Sequence, residues 1–481
     1  MSVERVLPKT LDYTDVLPLA VESRSRRRTF FPTNGGTFAS NGANIIRIDL
    51  SADALLDTQH SYLKFDCLMN TAALTSGIDP AGGHSFFTRL RVEQSGTILE
   101  DIQQYNRLMG AIVLPCQSST DSEAVRSVTE GQYTAGQING GNAASDSSTT
   151  KTISATGAGA GAGGADGIGS MLNATGNVVN SVTQMANGGS YTFCIPLTSG
   201  LLNCEKLIPL MLMSAPLTIE LEIGDALETT MASAAANVTT ISNVRYIANL
   251  VEVGSEVSQQ LRMLQEMSGG VLTLTGQTFR HFGANLAAGV SNTINIPARV
   301  KSMKSIFFNF RGTQANNQAR VDIGQGTTQS LTDYQFKIGS VVYPPTPVNG
   351  PGVAAGAQTR KSEALMELEK AWGNVGSRFG MGAFTKNNNF YINVDAKPAA
   401  VVAGGVATDA NRPAFAPFGL DMEAFQRVAI ESGVNTADRA LPISLITNHG
   451  LAVAGNCPVD VYVLADALFY INADGSMSVS V

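Results

Sequence analysis

Charged side chains are scarce in this chain. Asp, Glu, Lys and Arg make up 15% of its 481 residues, against about 25% in an ordinary soluble domain. So few charges on so large a surface point either to a surface covered by neighbours in an assembly or to a soluble protein merely rich in Gly, Ala, Ser and Asn. The formal net charge of −7 excludes a generally basic protein that condenses nucleic acid. Long apolar runs are missing as well. No stretch reaches the roughly 18 consecutive apolar residues of a membrane-spanning helix. Met1–Ala20 is charged throughout and lacks the apolar segment of a secretory signal. Cysteine is sparse and odd in number. Cys67, Cys116, Cys194, Cys204 and Cys457 are scattered, which suits free thiols in a reducing compartment.

The residues of common catalytic motifs are equally thin. Of the four histidines, His60, His84, His281 and His449, no two stand at helical metal-binding spacing. Cys194 and Cys204 have no further Cys or His nearby to complete a zinc site. Gly159, Gly161 and Gly164 satisfy the letter of a dinucleotide fingerprint, but they sit inside a Gly/Ala run rather than between a strand and a helix. No nucleophile elbow or phosphate-loop lysine is present. Asp421, Glu423, Glu431 and Asp438 could supply the carboxylate pair of a glycoside hydrolase, yet their spacing forces no approach and solvated loop charges are the default. The sequence therefore predicts no enzyme, no cofactor and no metal.

What is abundant is apolar and small: 44% hydrophobic residues and 48 glycines. The length exceeds what one core of roughly 250–300 residues accommodates, so two domains are expected. Residues 1–40 read as an N-terminal arm without a sustained period. It carries the one strong charge cluster, Arg24, Arg26, Arg27 and Arg28, which suits contact with nucleic acid, a neighbouring subunit or membrane headgroups, or a solvated segment. Period-two alternation then marks strands at Asn44–Leu50, Ser61–Cys67, Phe86–Val92, Tyr191–Pro196, Leu207–Met213, Leu217–Ile223 and Thr239–Val253. Leu99, Ile102, Tyr105, Leu108 and Ile112 recur at helical steps up to Pro115, with Glu100 and Asp101 placed for the helix dipole. A Gly/Ala/Ser-rich insertion fills about 131–190, and Ser255–Met267 reads as a linker helix within 254–270.

The second half repeats the order. Strands are expected at Val271–Leu274, Thr293–Ile296, Val300–Phe310, Tyr334–Val342, Phe390–Val394, Phe415–Asp421, Leu441–Ile446 and Val459–Ile471, with a helix at Lys361–Trp372. Phe86–Val92 and its helix match Tyr334–Val342 and Lys361–Trp372, while Leu217–Ile223 is matched with Val459–Leu464. Two β-rich units, each with one helix and one glycine-rich insertion, give an all-β class: tandem jelly-roll sandwiches over 41–253 and 271–481 with a few short helices.

At this level the chain resembles the double jelly-roll major capsid proteins of the adenovirus, virophage, Polinton-like and large DNA virus lineage. The resemblance rests on Phe87–Asn106, Leu207–Leu210, Leu217–Glu222, Ile296–Ile306, Tyr334–Pro344 and Val461–Gly475. It implies an icosahedral shell built from pseudo-hexagonal homotrimers, located in the virion and without catalysis. It also implies neighbouring capsomers and minor capsid or penton proteins as partners, with weak contact of the arm to genome or inner membrane. The competing reading is a tandem β-sandwich carbohydrate-binding or adhesin protein, for which exposed aromatics would be expected and only Trp372 represents tryptophan.

Overall fold

The computed structural model describes residues 23–70, 77–78, 81–117, 126, 129–131, 190–224, 230–231, 238–311, 323, 326–352, 362–372, 416–423, 433–438, 442–453, 455 and 457–481. The first half supplies β1 (Ser23–Phe30), β2 (Thr37–Ala39), β3 (Ile45–Leu50), β4 (Leu55–Asn70), β5 (Gly77–Ile78), β6 (Phe87–Gln94), β7 (Thr97–Gln103), β8 (Ser190–Ile195), β9 (Ile208–Pro209), β10 (Leu217–Ile223), β11 (Thr230–Met231) and β12 (Val238–Val253). The second half supplies β13 (Val271–Leu286), β14 (Gly289–Asn295), β15 (Met303–Phe310), β16 (Leu331–Ile338), β17 (Val341–Asn349), β18 (Pro417–Asp421), β19 (Ile443–Val453), β20 (Cys457–Asn472) and β21 (Met477–Ser480).

These strands pair antiparallel in the orders β1-β12-β4-β8 and β3-β10-β6-β7, then β13-β20-β15-β18 and β14-β19-β16-β17. When the eight principal strands of each half are numbered in chain order, both halves read 1-8-3-6 facing 2-7-4-5. That order is the jelly roll, and the chain holds it twice. The short strands β2 and β9 extend the first sheet, β21 extends β20, and β5 pairs with β11.

The alternation seen in the sequence is what closes each sandwich. In β10, Leu217, Ile219, Leu221 and Ile223 are all buried. Between the sheets of the first barrel, Phe65 meets Phe86 and Phe87 edge-on at 5.9 and 5.3 Å. In the second barrel, Phe308 is ringed by Phe310, Tyr334, Phe336 and Phe418 at 5.1–6.0 Å. Each such ring contributes about 1.5–3 kcal/mol through burial, with a further increment from edge-to-face geometry.

Several expectations are corrected. Within the arm over 1–40, Ser23–Phe30 and Thr37–Ala39 are strands, while residues 1–22 lie outside the described residues. β1 gives no periodic signal because Ser23–Arg28 are all exposed and only Phe30 is buried. It is held by main-chain pairing along β12, from Ser23↔Val253 to Phe30↔Tyr246, rather than by an apolar face. The helix expected over Leu99–Ile112 begins only at Tyr105, because Thr97–Gln103 is β7. A bulge opposite Val92 and Glu93 buries Leu99 and Glu100 in succession and leaves Leu99 and Ile102 three apart, which imitates a helical step. Helix begins after Gln104, a left-handed residue with φ 51°, as α1 (Tyr105–Arg107), a π-helical turn (Leu108–Val113) and α2 (Leu114–Gln117). Of Leu207–Met213, only Ile208–Pro209 pairs as strand, and Leu210–Leu212 forms a 3₁₀ turn. The partner of Leu217–Ile223 is β19, not Val459–Leu464, since β10 and β19 are the seventh strands of their halves. Phe390–Val394, Gly159–Gly164 and all but the ends of the 131–190 insertion lie outside the described residues.

Between the barrels, β12 ends at Val253 and β13 starts at Val271 in another sheet, with α3 (Ser255–Met267) between them. In each half the helix after the fifth strand leads toward the sixth: α1 and α2 follow β7, and α4 (Ser362–Ala371) follows β17. Leu108 and Leu368 are fully buried, so replacing either by Ala should lower stability by about 2–5 kcal/mol through the cavity left behind. Chemical denaturation measures it, and a loss below about 0.5 kcal/mol would place that helix off its barrel.

Candidate functional site: an arginine edge and a seam

The arginines sit on β1, an edge strand, in strict alternation. Arg24, Arg26 and Arg28 share the face that leads to buried Phe30, whereas Arg27 faces the other way with Ser25 and Thr29. Arg26 Nε lies 2.8 Å from Glu252 Oε1, and the Arg28 guanidinium stands 4.9 Å above the Phe30 ring. Ser25 Oγ donates to Asn249 Oδ1 at 2.8 Å. On the far side, burial raises the Cys194 thiol, and Lys64 and Arg27 partly oppose that rise. The structure thus turns a predicted loose cluster into a fixed row of exposed guanidinium groups on a sheet edge, where charge also discourages unwanted strand pairing. Because proteases need an unpaired chain, trypsin should leave the bonds after Arg26, Arg27 and Arg28 intact in the isolated protein. Rapid cleavage there would show that β1 is not seated on β12.

The second feature carries no motif in the sequence. Along β7 the first barrel lies against the β13–β20 ribbon of the second, and the contact is polar and buried. Glu100, 4% exposed, accepts from the Gly200 amide at 2.8 Å, the Leu201 amide at 3.3 Å, the Ser199 hydroxyl, and across the seam the Thr278 hydroxyl at 2.6 Å. Asp460, 2% exposed on β20, takes His281 Nε2 at 2.9 Å and Arg311 Nε at 2.8 Å from its own barrel, and Arg107 Nη1 of the first barrel at 3.7 Å. Burial alone would raise the Asp460 carboxyl; the His281 hydrogen bond, then Arg311 and Arg107, outweigh it and hold the group below the ordinary carboxylate range. Tyr462 Oη donates to the Gln104 carbonyl at 3.0 Å. Nearer the chain end, Gln94 Nε2 donates to the Gly475 carbonyl at 3.1 Å, and the Met477 amide donates to Gln94 Oε1 at 2.6 Å.

Two glycines set the approach of the barrels. A Cβ on Gly200 would stand 2.7 Å from the Gln277 carbonyl oxygen, and one on Gly276 would overlap the Gly200 carbonyl. Beside this crossing a groove of about 830 Å³ is lined by both barrels, including Gly200, Gln277, Lys304, Trp372, Glu423 and Asp466. Trp372, on its wall, packs at a tilt against Phe307 with ring centroids 4.8 Å apart.

Of the four candidate carboxylates, Asp421 and Glu423 line this groove, where Lys304 Nζ lies 3.6 Å from Glu423 Oε1 and 3.8 Å from Asp466 Oδ1. Asp438 lies apart from the residues lining the groove, and Glu431 is outside the described residues. The histidines are dispersed: His60 pairs with Asp57 on the surface, His84 lies between Tyr105 and Glu130, His281 meets Asp460, and His449 contacts Gln329 and Thr447. All five cysteines are free thiols, and burial pushes the Cys67 and Cys116 thiols up. Among the described residues no three His, Cys, Asp or Glu side chains gather as metal ligands. One sequence signal for the seam did exist. Asp460 is a lone carboxylate inside the apolar run Val459–Leu464, a position that demands partners once buried.

No protein-family model matches the chain, and no curated protein matches it. Solved structures do. The VP54 protein of PBCV-1, in a structure fitted into a reconstruction of the virophage Sputnik, superimposes with a TM-score of 0.56 at 9% identity, covering 98% of this chain and 99% of that one. The Faustovirus major capsid protein gives 0.57 at 8% identity, covering 97% and 92%. A chain of the Sputnik virophage structure gives 0.55 at 10% identity, covering 100% and 93%. At such identities the likeness is one of fold, and the fold is the double jelly roll that the described strands form.

Proposed function

We propose that this chain is a major capsid protein whose homotrimers form the pseudo-hexagonal tiles of an icosahedral viral shell. The observation that carries the reading is the repeated strand order, 1-8-3-6 facing 2-7-4-5 in both halves of one chain. A trimer of such chains offers six similar barrel edges, which hexagonal packing of tiles requires, and closed threefold symmetry brings one barrel's flank against the other's. Full-length likeness to the Faustovirus major capsid protein and to VP54 supports it. The role is structural, the place is the virion, and the partners are copies of the chain, neighbouring capsomers and minor capsid or penton proteins. Nothing in those matches favours the carbohydrate-binding or adhesin reading.

The division into a first barrel over 41–253, a linker at 254–270 and a second barrel over 271–481 belongs to this reading, with β1 added to the first. Arg24, Arg26, Arg27 and Arg28 are proposed to meet an anionic neighbour, either an acidic subunit edge or phosphate inside the shell. Sizing of the purified protein tests the function. A stable three-chain species or shell-like particles is the expected result, and a strict monomer at micromolar concentration would remove the tile reading and favour the adhesin class.

A further inference from the structure

We propose that Glu100 and Asp460 form a reciprocal latch that fixes the two jelly rolls as one rigid body before any assembly. The inference rests on the fold alone and stands or falls independently of the capsid reading. Each acid belongs to one barrel and draws a donor from the other. Glu100 on β7 takes the Thr278 hydroxyl of β13, and Asp460 on β20 takes Arg107 of α1. Both carboxylates are almost fully buried, so neither is satisfied by water in place of its partner.

Their spacing is what makes a latch of them. β13 and β20 are paired throughout, with Thr278 opposite Ala465 and Gly283 opposite Asp460. The two attachments are therefore five residues apart along one ribbon, about 17 Å at strand rise. A single attachment would act as a pivot, whereas two separated ones resist rotation about it. Gln94, bound to Gly475 and Met477, adds a third at the other end of the ribbon. The close crossing of Gly200 and Gly276 lies among them and leaves no room for sliding. α3 is then a connection and not a hinge. It buries only Gln265, whose amide donates to the Ile471 carbonyl at 3.1 Å.

The test targets the two contacts that Glu100 and Asp460 make across the seam. Thr278→Val combined with Arg107→Gln leaves the other partners of Glu100 and Asp460 in place. Hydrogen exchange read by mass spectrometry on the full chain is the measurement. Peptides covering 199–201 and 276–282 should exchange about tenfold faster, while β10 and β19 in the two barrel interiors stay unchanged. The emission of Trp372, the single tryptophan, should shift to the red as the groove between the barrels opens. Thr278→Ser with Arg107→Lys, which keeps a hydroxyl and a charge, should restore slow exchange. Unchanged seam exchange would overturn the latch, and so would an equal rise in every strand, which reports plain loss of stability. If the protein proves monomeric yet shows the local rise, the latch stands and the tile reading falls.

Discussion

Gly276→Ala is expected to lower unfolding stability by about 3 kcal/mol, the upper end for overpacking a filled interior. The reason is backbone against backbone. The new methyl would overlap the Gly200 carbonyl oxygen and carbon, and it also meets a Phe469 ring carbon at 3.2 Å, so no side-chain rotation relieves it. Gly283 on the same strand is the control. A methyl placed there would have His281 Cε1 as its nearest neighbour at 3.6 Å, ordinary van der Waals contact. Gly283→Ala should change stability by no more than about 1 kcal/mol, in the stabilising direction, because Ala restricts the unfolded chain. Denaturant midpoints of the two variants decide it. Equal small effects would mean that the barrels do not meet at the Gly200–Gly276 crossing.

Asp460→Ala is expected to cost about 3–5 kcal/mol at neutral pH, since it removes the buried charge that faces Arg107, Arg311 and His281. The pH dependence identifies the cause. The native carboxyl titrates below its ordinary value, so the unfolded chain binds its proton first as acid is added. The contribution of Asp460 is therefore complete above about pH 4, the unfolded value, and disappears as pH falls through the lower native value. The gap between the parent protein and the variant should stay level from about pH 5 to pH 8 and narrow below pH 4. Asp460→Asn, which keeps the shape, should show the same narrowing with a smaller gap. A gap that widens in acid would mean that the carboxylate is not stabilised by its cationic neighbours.

Strands buried on one face are legible in the residues. β10 declares itself through Leu217, Ile219, Leu221 and Ile223, and the doubled order of elements is visible although residue identities barely match. What stays hidden lacks that periodic signal. β1 buries only its last residue, so its arginines carry no trace of the backbone ladder that holds them. β7 reads as helix because a bulge alters its period, and Glu100, which suits a helix N-terminus, is instead a buried acceptor. β13 runs to Leu286 rather than Leu274 because its middle, Thr275-Gly276-Gln277, is shaped by the neighbouring barrel and not by its own core. The seam depends on residues far apart in the chain, Glu100 with Thr278 and Arg107 with Asp460, and no local pattern encodes such a meeting.

Both long insertions leave the sandwich at the same topological point, between the fifth and sixth strands: 104–189 in the first barrel and 350–416 in the second. The sheets are closed by strands on either side of that point, and lengthening a loop adds only about 0.6 kcal/mol of closure entropy per doubling. Outside the packed helices α1, α2 and α4, the connection in each barrel can therefore vary in length at little entropic cost. Each barrel thus has one connection in which length can change while its two sheets keep their strand order.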